Sequence, residues 1–288
     1  MPPLSTTGLS MPPDAPIDLH LHTHFSDGTW TPEGLLDHLV DAGFCLAAIA
    51  DHDRVDTLPA IQALALDKGM PLLVAVEMST LWRGEMTDLL CYGFDPEHNT
   101  LLELSRDLLR RQQENSREVY ANLQRKGVSL PEDPQVLANI LAMPSPEQPH
   151  GLVALLKSLG YGQGEPSAGR LVQEAGCAYA SNDLAAVVEA GHQCGALCLV
   201  AHPGRGDGFV DFDAPLLDEL RQEVPIDGLE AFYPRHAPAR TEMFCEYARR
   251  HDLLVSCGSD SHGADKPQVK YRADQSRDLL DRLGIRVG

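Results

Sequence analysis

Short apolar segments along the chain end in histidine or carboxylate residues, and this pattern limits the fold more than any other feature. The run from Ile17 to His22 alternates apolar and polar residues, the run 46–50 ends in Asp51-His52-Asp53, and the run 71–76 ends in Glu77. Helix-like segments follow the first two runs. Strands that alternate with helices form parallel sheets, and parallel α/β barrels carry their chemistry at the carboxyl ends of the strands. The sequence therefore predicts a barrel with a functional site at that end.

The same alternation returns in the second half of the chain. Apolar runs at 196–201, 226–232 and 253–257 precede His202, the segment 233–236 and the segment 258–262. The segment after Glu77 has the pattern of a hairpin, and a charged helical stretch with a proline-rich part follows. We therefore predict a flexible tail at 1–15, a barrel domain at 16–100 and 182–288, and a helical insertion at 101–181. Its place between barrel segments makes the insertion a candidate lid.

Composition excludes several classes of protein. The net charge of −19 argues against a stable nucleic-acid scaffold role or an anionic membrane surface as main partner. A small phosphorylated substrate stays compatible with this charge, because bound divalent cations invert the local charge of a site. No apolar run reaches the roughly 20 residues that a membrane span needs. The odd number of cysteines, seven, without C-x-x-C spacing predicts free thiols and a cytoplasmic location.

Nine residues at or near strand ends have metal-ligating side chains: His20, His22, Asp27, His52, Glu77, Asp88, His202, Asp260 and His262. Imidazoles and carboxylates without thiolates suit Zn, Mn or Fe in sites that keep positions open for water and substrate. One tetrahedral ion needs fewer ligands, so the set predicts two or three divalent ions. A carboxylate such as Glu77 can bridge two of them.

An ordinary structural interpretation competes with the metal site at each position. A single histidine at a strand end is more often a plain polar residue than a ligand, and Ser26-Asp27-Gly28 alone is a turn. This interpretation must, however, account for ligand-type residues at the end of nearly every predicted strand. The repetition favours the metal site.

The motifs also resemble a known family. His20-Leu21-His22 with Ser26-Asp27-Gly28, Asp51-His52-Asp53, Glu77, Ala201-His202-Pro203 and Ser259-Asp260-Ser261-His262 are similar in kind and order to the motifs of the polymerase and histidinol phosphatase (PHP) family. The resemblance spans about residues 17–265 and implies a distorted (β/α)7 TIM-like barrel with a phosphoesterase site of two or three metals. By motif, it implies that His20, His22, Glu77 and Asp260 hold one metal, that Glu77 and His202 hold a second, and that Asp27, His52 and His262 hold a third.

One position departs from the family pattern. The family commonly has a histidine about ten residues after the bridging glutamate, where this chain has Asp88. Direct ligation by Asp88 would favour Mn or Fe, since a carboxylate is a harder ligand than an imidazole. Alternatively, Asp88 orients a ligand without touching the metal. Direct ligation is the prediction, with the second role left open.

Several residues are predicted to handle the substrate. Arg205 follows His202 in a glycine-flanked loop, and a guanidinium there could bind a phosphate with two hydrogen bonds. Arg235 and His236 follow the strand that contains Glu230. His150 resembles the histidine of an Arg-Pro-His motif in the insertion of the small phosphoesterase branch, although Gln148 replaces the arginine. His24 is predicted to lie on the surface.

The predicted chemistry is attack of a metal-bridging hydroxide on phosphorus. Asp260 would accept a proton, His202 or His236 would protonate the leaving alcohol, and Arg205 and Arg235 would stabilise the phosphoryl oxygens. The branch that the insertion resembles acts on nucleoside 3′,5′-bisphosphates and on short RNA. Histidinol-phosphate hydrolysis, C–N bond hydrolysis on a related barrel and a non-catalytic proofreading module are the alternatives. The lack of a strand-end lysine counts against the C–N reaction, and the nearly complete ligand set counts against the module.

Overall fold

A computed structural model of the chain describes residues 5–288, which form two units. A barrel unit ends at Leu104 and resumes with Asn182–Gly288, and a helical unit comprises Ser105–Ser181. The predicted start of the helical insertion, residue 101, lies four residues before the start of this helical unit. The first turn of the connecting helix contributes Leu101, Leu102 and Leu104 to a hydrophobic cluster of the barrel unit, so the helical unit begins later than the helix does.

All strands among the described residues belong to the barrel unit. They are β1 Ser10–Met11, β2 Pro16–Leu21, β3 Leu46–Ile49, β4 Leu72–Met78, β5 Thr80–Trp82, β6 Glu85–Met86, β7 Leu89–Tyr92, β8 Asn182–Asp183, β9 Leu197–Val200, β10 Gly228–Phe232, β11 Leu254–Cys257, β12 Tyr271–Arg272 and β13 Arg286–Val287.

The α-helices alternate with these strands except in the helical unit. They are α1 Pro32–Asp41, α2 Leu58–Lys68, α3 Leu101–Arg125, α4 Pro134–Leu141, α5 Glu147–Ser158, α6 Ala168–Glu174, α7 Leu184–Gln193, α8 Ala214–Glu223, α9 Pro238–Arg250 and α10 Arg277–Arg282. Their starts follow local sequence signals: the side chain of Thr31 caps α1 by accepting from Gly34 N–H, and Pro32 occupies the first turn.

Eight strands form one sheet in the order β11-β10-β9-β7-β4-β3-β2-β12. β2, β3 and β4 are parallel neighbours, as are β9, β10 and β11, whereas β7 runs antiparallel to both β4 and β9. At the open edge, His22 N–H donates to Ser261 O over 2.9 Å, so the sheet is nearly closed. The α/β barrel-like architecture is confirmed. β7 is the exception to the predicted parallel pattern, because the chain turns back in the β5–β6 hairpin and re-enters the sheet as β7.

Both faces of the sheet are buried. Successive residues of β4 belong to different hydrophobic clusters: Leu73 and Ala75 to one, Val74 and Val76 to another. Side chains on a strand alternate between faces, so each face carries its own apolar layer. This two-sided burial explains why the strands are nearly continuous apolar runs in the sequence.

The amino-terminal segment is part of the fold from residue 5 onward. β1 pairs in parallel with β13, and Met11 is buried. Ser5 Oγ and the backbone of Leu72 also form hydrogen bonds. The predicted flexible tail therefore differs from the structure for residues 5–15, because strand pairing with the other terminus holds the segment. Residues 1–4 lie outside the described part of the chain.

The helical unit has its own apolar core. Buried side chains from α3, α5 and α6 meet there, among them Val119, Leu123, Leu152, Leu156 and Val172. The role of this unit as a lid stays a prediction. Across residues 5–288, no helix combines the length and the apolar character that crossing a bilayer requires.

Candidate metal centre

The strand β2 and the loop after it are built to hold two histidines. His20 and His22 are both fully buried. The Asp51 carboxylate accepts from Thr23 N–H and Thr23 Oγ1, each over 2.6 Å, and from Ser26 Oγ over 2.8 Å. A side chain at Gly28 would place its Cβ 2.7 Å from the His22 carbonyl carbon, so this turn needs glycine. Together these contacts fix the loop that begins at His22.

A first group of donors comprises His20, His22, Glu77 and Asp260, all buried. Glu77 Oε2 lies 2.9 Å from His20 Nε2 and 3.1 Å from His22 Nε2. Asp260 Oδ1 lies 3.3 Å from His22 Nε2 without forming an aligned hydrogen bond. Four donor atoms within 4.8 Å of one another match the composition expected for a divalent metal site.

A second group shares His22 with the first and adds Asp27, His52 and His262. Asp27 Oδ2 lies 3.1 Å from His262 Nε2 and 4.0 Å from His52 Nε2. Asp27 Oδ1 lies 3.6 Å from His22 Nδ1. The three residues that the resemblance assigns to one metal are thus neighbours in space.

A third group contains His52, Glu77 and Asp88. Glu77 Oε2 lies 3.2 Å from His52 Nε2, and the other oxygen, Oε1, lies 3.0 Å from His202 Nε2. Asp88 is buried and accepts from Thr80 N–H over 3.4 Å. Glu77 therefore contacts histidines of several groups at once, as a bridging carboxylate would.

The charges of this centre are tightly linked. Burial alone would lower the pKa of His20, but Glu77 and Glu230 outweigh it and raise the pKa well above the usual value. Burial likewise opposes the rise for His22, whose pKa reaches about 10 through Asp260, Glu77 and Asp27. Burial and the nearby Glu77 and Asp53 carboxylates raise the pKa of Asp88 well above its usual value. Buried carboxylates need positive charge nearby. Such linked charges are typical of sites that bind cations.

The backbone is strained at two of the candidate ligands. His202 has φ 30° and Asp260 has φ 53°, both in the left-handed region that residues other than glycine rarely adopt. Strain of this kind persists only where surrounding contacts enforce it, and it concentrates at functional sites. The strained turns direct both side chains toward Glu77 and the histidine pair of β2.

Arg205, predicted to bind phosphate, lies beside Asp260. Its Nη1 is 3.6 Å from Asp260 Oδ2, and its guanidinium lies over the Phe209 ring at 4.5 Å. Tyr233 donates to the same Asp260 oxygen over 3.3 Å. Burial and the neighbouring Asp260 raise the pKa of Tyr233 to about 12, so this hydroxyl keeps its proton at neutral pH. Sequence reasoning missed Tyr233 because nothing marks it among the residues that follow β10.

His236 and Arg235 lie near this loop but make other contacts. His236 Nδ1 donates to Ala231 O and its Nε2 accepts from Gly204 N–H, each over 3.0 Å. Burial lowers the pKa of His236, which favours this neutral form. Arg235 is half exposed and forms an ion pair with Asp207. The ring of His236 thus joins the backbone of β10 at Ala231 to the backbone of Gly204, next to Arg205, and its predicted proton transfer stays a prediction.

His150 belongs to the helical unit, within α5. Its ring lies 3.1 Å from Tyr179 Oη and 3.3 Å from a Glu147 carboxylate oxygen, and the side chain is 62% exposed. Gln148, which replaces the arginine of the related motif, is buried and pairs with Ser116 Oγ at 3.0 Å. The predicted substrate contact of His150 stays a prediction. His24 is exposed, as expected.

The chain has relatives over most of its length, although no family model matches it. A 3′,5′-nucleoside bisphosphate phosphatase of Chromobacterium violaceum is 27% identical over 260 residues, covering 86% of this chain and 87% of the relative. A 5′-3′ exoribonuclease of Haemophilus influenzae is 25% identical and covers 85% of this chain and 89% of its own length. A phosphoribosyl 1,2-cyclic phosphate 1,2-diphosphodiesterase of Eggerthella lenta is 28% identical, covering 88% of this chain and 98% of the relative.

Solved structures agree with these relatives. A Bifidobacterium adolescentis protein described as a candidate metal-dependent phosphoesterase superposes with a TM-score of 0.71 at 25% identity, over 94% of this chain and 98% of that one. An amidohydrolase from Chromobacterium violaceum, at 23% identity and a TM-score of 0.70 over 93% of this chain and 97% of its own, shows the same fold. The predicted resemblance is confirmed: the chain is a homologue of phosphoesterases named for nucleotide and oligonucleotide substrates.

Proposed function

We propose that this chain is a metal-dependent phosphoesterase that hydrolyses a phosphate ester of a nucleotide or a short oligonucleotide. One observation carries the proposal: buried imidazoles and carboxylates converge on Glu77, with the Arg205 guanidinium 3.6 Å from Asp260 at the edge of the group. Cations and a guanidinium together are what a phosphoryl group needs for binding and charge neutralisation. Relatives named for nucleoside bisphosphates and RNA support the choice of substrate class.

The donor set supports two or three divalent cations. We propose as ligands His20, His22, Asp27, His52, Glu77, Asp88, His202, Asp260 and His262. The set contains oxygen and imidazole donors without thiolates, which suits Mn, Fe or Zn. Asp88 is within reach of Glu77 and His52, so direct ligation is the favoured role. When bound, neighbouring divalent cations lower the pKa of a shared water and neutralise phosphoryl oxygens.

The side chains divide the remaining work. Arg205 would donate to phosphoryl oxygens, and the Phe209 ring against one face of its guanidinium limits its motion. Asp260 would accept the proton of the attacking water as well as ligating, and its Oδ2 receives the Tyr233 hydroxyl. His236 would hold the Gly204 backbone in place, since its Nε2 accepts from Gly204 N–H while its Nδ1 is anchored on Ala231 O. Proton donation by His202, an additional phosphate contact from Arg235 and a cytoplasmic location remain parts of this proposal.

Replacing Asp260 tests the proposal. Asp260→Asn keeps the size of the side chain but removes the charge and the proton acceptor, so turnover should fall by more than about 100-fold with an unchanged circular dichroism spectrum. Phosphate release from a nucleoside 3′,5′-bisphosphate, a 5′-phosphorylated short RNA and histidinol phosphate would separate the substrate classes. Hydrolysis of a simple amide, tested in parallel, would indicate C–N bond hydrolysis instead.

A matched control exists for the backbone strain. Asp252 is an exposed aspartate with φ 57°, close to the 53° of Asp260, so Asp252→Asn makes the same chemical change in a similar conformation. It should leave turnover within about twofold. Near-normal phosphate release by Asp260→Asn, or release from none of the esters by the metal-loaded protein, contradicts the proposed function.

A further inference from the structure

Glu230 is a buried carboxylate that sequence reasoning did not assign to the centre. It lies in the middle of β10 and has no exposed surface. Its Oε1 is 2.9 Å from His20 Nδ1, and its Oε2 accepts from His202 N–H over 2.8 Å. One carboxylate therefore contacts a candidate ligand on β2 and the backbone of another candidate ligand after β9.

The contact with His20 selects which ring nitrogen can bind a cation. The Glu230 carboxylate oxygen accepts from Nδ1 of His20, so this nitrogen carries a proton and offers no lone pair to a cation. Nε2 is the nitrogen that faces the first donor group, 2.9 Å from Glu77 Oε2 and 3.1 Å from His22 Nε2, so Nε2 would bind the cation in place of its contact with Glu77. Outer carboxylates commonly fix histidine ligands in this way and increase their basicity.

The contact with His202 supports a strained backbone. His202 has φ 30°, an unfavourable conformation that persists only where neighbouring contacts hold it. The hydrogen bond from its N–H to Glu230 is such a contact. In this conformation His202 Nε2 lies 3.0 Å from Glu77 Oε1. Glu230 thus contacts two residues, His20 and His202, that lie against different oxygens of Glu77.

The chain also leaves space for this carboxylate. A Cβ at Gly258 would overlap both the Cβ of His20 and Glu230 Oε1. Gly258 directly precedes the segment with Asp260, so glycine allows β11 to end close to β2 and β10. The space that Glu230 occupies therefore depends on glycine at position 258, in addition to the hydrogen bonds that Glu230 makes.

We propose that Glu230 is a positioning residue that couples the two cation sites sharing Glu77, by setting the His20 tautomer and the His202 backbone together. The inference rests on the proposed function for its cations but concerns a residue outside the ligand set. A single change at Glu230 should weaken both sites, whereas a change at one ligand should weaken mainly its own.

Glu230→Gln is a sharp test because it is nearly isosteric. A glutamine has one accepting oxygen and one donating NH2 group. With its oxygen toward His202, the NH2 faces His20 Nδ1 and forces the proton onto Nε2, where a cation should bind. With its oxygen toward His20, the NH2 opposes the N–H of His202. Neither orientation satisfies both partners, so either one damages the centre.

Asp227, the residue directly before β10, provides a matched control. Its Oδ2 lies 2.9 Å from His192 Nε2 and accepts from Cys198 N–H over 2.7 Å. It therefore joins one imidazole and one backbone N–H, as Glu230 does, but it contacts none of the nine proposed ligands. The Asp227 side chain is 28% exposed, so Asp227→Asn should reproduce the general cost of neutralising a carboxylate that joins an imidazole and a backbone N–H.

The experiment titrates chelator-treated protein with Mn²⁺ and follows free Mn²⁺ by electron paramagnetic resonance. Glu230→Gln should weaken binding roughly 10–100-fold with retained circular dichroism, whereas Asp227→Asn should stay within about twofold of the wild type. Equal affinity in Glu230→Gln and the wild type overturns the inference, as does an equal loss in Asp227→Asn. Absence of Mn²⁺ binding by the wild type overturns the proposed function as well.

A second measurement needs no variant and reports the tautomer itself. In the Zn²⁺-loaded wild type, ¹⁵N chemical shifts of the His20 ring should show a proton on Nδ1. A protonated Nε2 overturns the inference even if Glu230→Gln fails to fold. If that variant folds, a proton shifted to Nε2 of His20 distinguishes positioning from a merely structural role, which would not change the tautomer.

Discussion

The barrel unit and the helical unit bury polar groups in opposite ways. In the barrel unit, His20, Glu77 and Glu230 are charged or titratable and fully buried. In the helical unit, the buried polar side chains among the described residues are neutral, such as Ser116 and Gln148, which pair with each other. Neutral pairs are satisfied within the protein, whereas clustered carboxylates need compensating positive charge. Cations should therefore matter for the barrel unit and leave the helical unit unaffected.

The largest expected effect of a single substitution on stability lies in the helical unit and should be independent of cations. Leu152 is fully buried in its apolar core. Leu152→Ala should lower the free energy of unfolding by roughly 2–5 kcal/mol, because it removes apolar contacts and leaves a cavity. Urea unfolding measures the loss, and Mn²⁺ titration should give the wild-type affinity.

Leu159 provides the control for this substitution. It follows α5 and is 38% exposed, so Leu159→Ala should change stability by no more than about 0.5 kcal/mol. A weakened Mn²⁺ affinity in folded Leu152→Ala, without the same change in Leu159→Ala, would break the proposed independence of the two units.

The next effect is specific to the barrel unit. After chelator treatment, Mn²⁺ at about 100 times its Kd should stabilise the folded state by about 2.7 kcal/mol for each site. Hydrogen exchange should show the added protection in β2 and residues 258–262, with little change in α5. Glu77→Gln should remove most of this gain, because Glu77 contacts histidines of all three donor groups. Equal added protection in both units would contradict the comparison.

The candidate ligands could be predicted from the sequence because topology gathers them. The carboxyl ends of parallel strands meet at one end of a barrel, so His20, His52 and His202 needed only a strand assignment to be grouped. The PHP-like motifs added their expected division among metals. Local patterns carried this information, since the candidate ligands lie at or near the ends of apolar runs.

The supporting residues could not be predicted in the same way. Glu230 and His20 are 210 positions apart, and their contact depends on how β10, β11 and β2 approach each other. Nothing local separates Glu230 from Asp227, which serves a similar role away from the site. The place of β7 between β4 and β9 could not be predicted for the same reason, because the sequence shows the hairpin arm that contains β7 but not the strands with which it pairs.

The smallest expected effect concerns His150, and it tests whether the helical unit takes part in substrate recognition. His150 is 62% exposed and contacts Glu147 and Tyr179 within the helical unit. His150→Ala should change stability by no more than about 0.5 kcal/mol, since it removes only exposed contacts.

If His150 hydrogen-bonds the substrate, KM should rise up to about tenfold with kcat unchanged. His98→Ala, at an 81% exposed histidine of the barrel unit outside the donor groups, should leave KM unchanged. An unchanged KM in His150→Ala would confine substrate recognition to the barrel unit, and the helical unit would then differ from it in function as well as in the polar groups it buries.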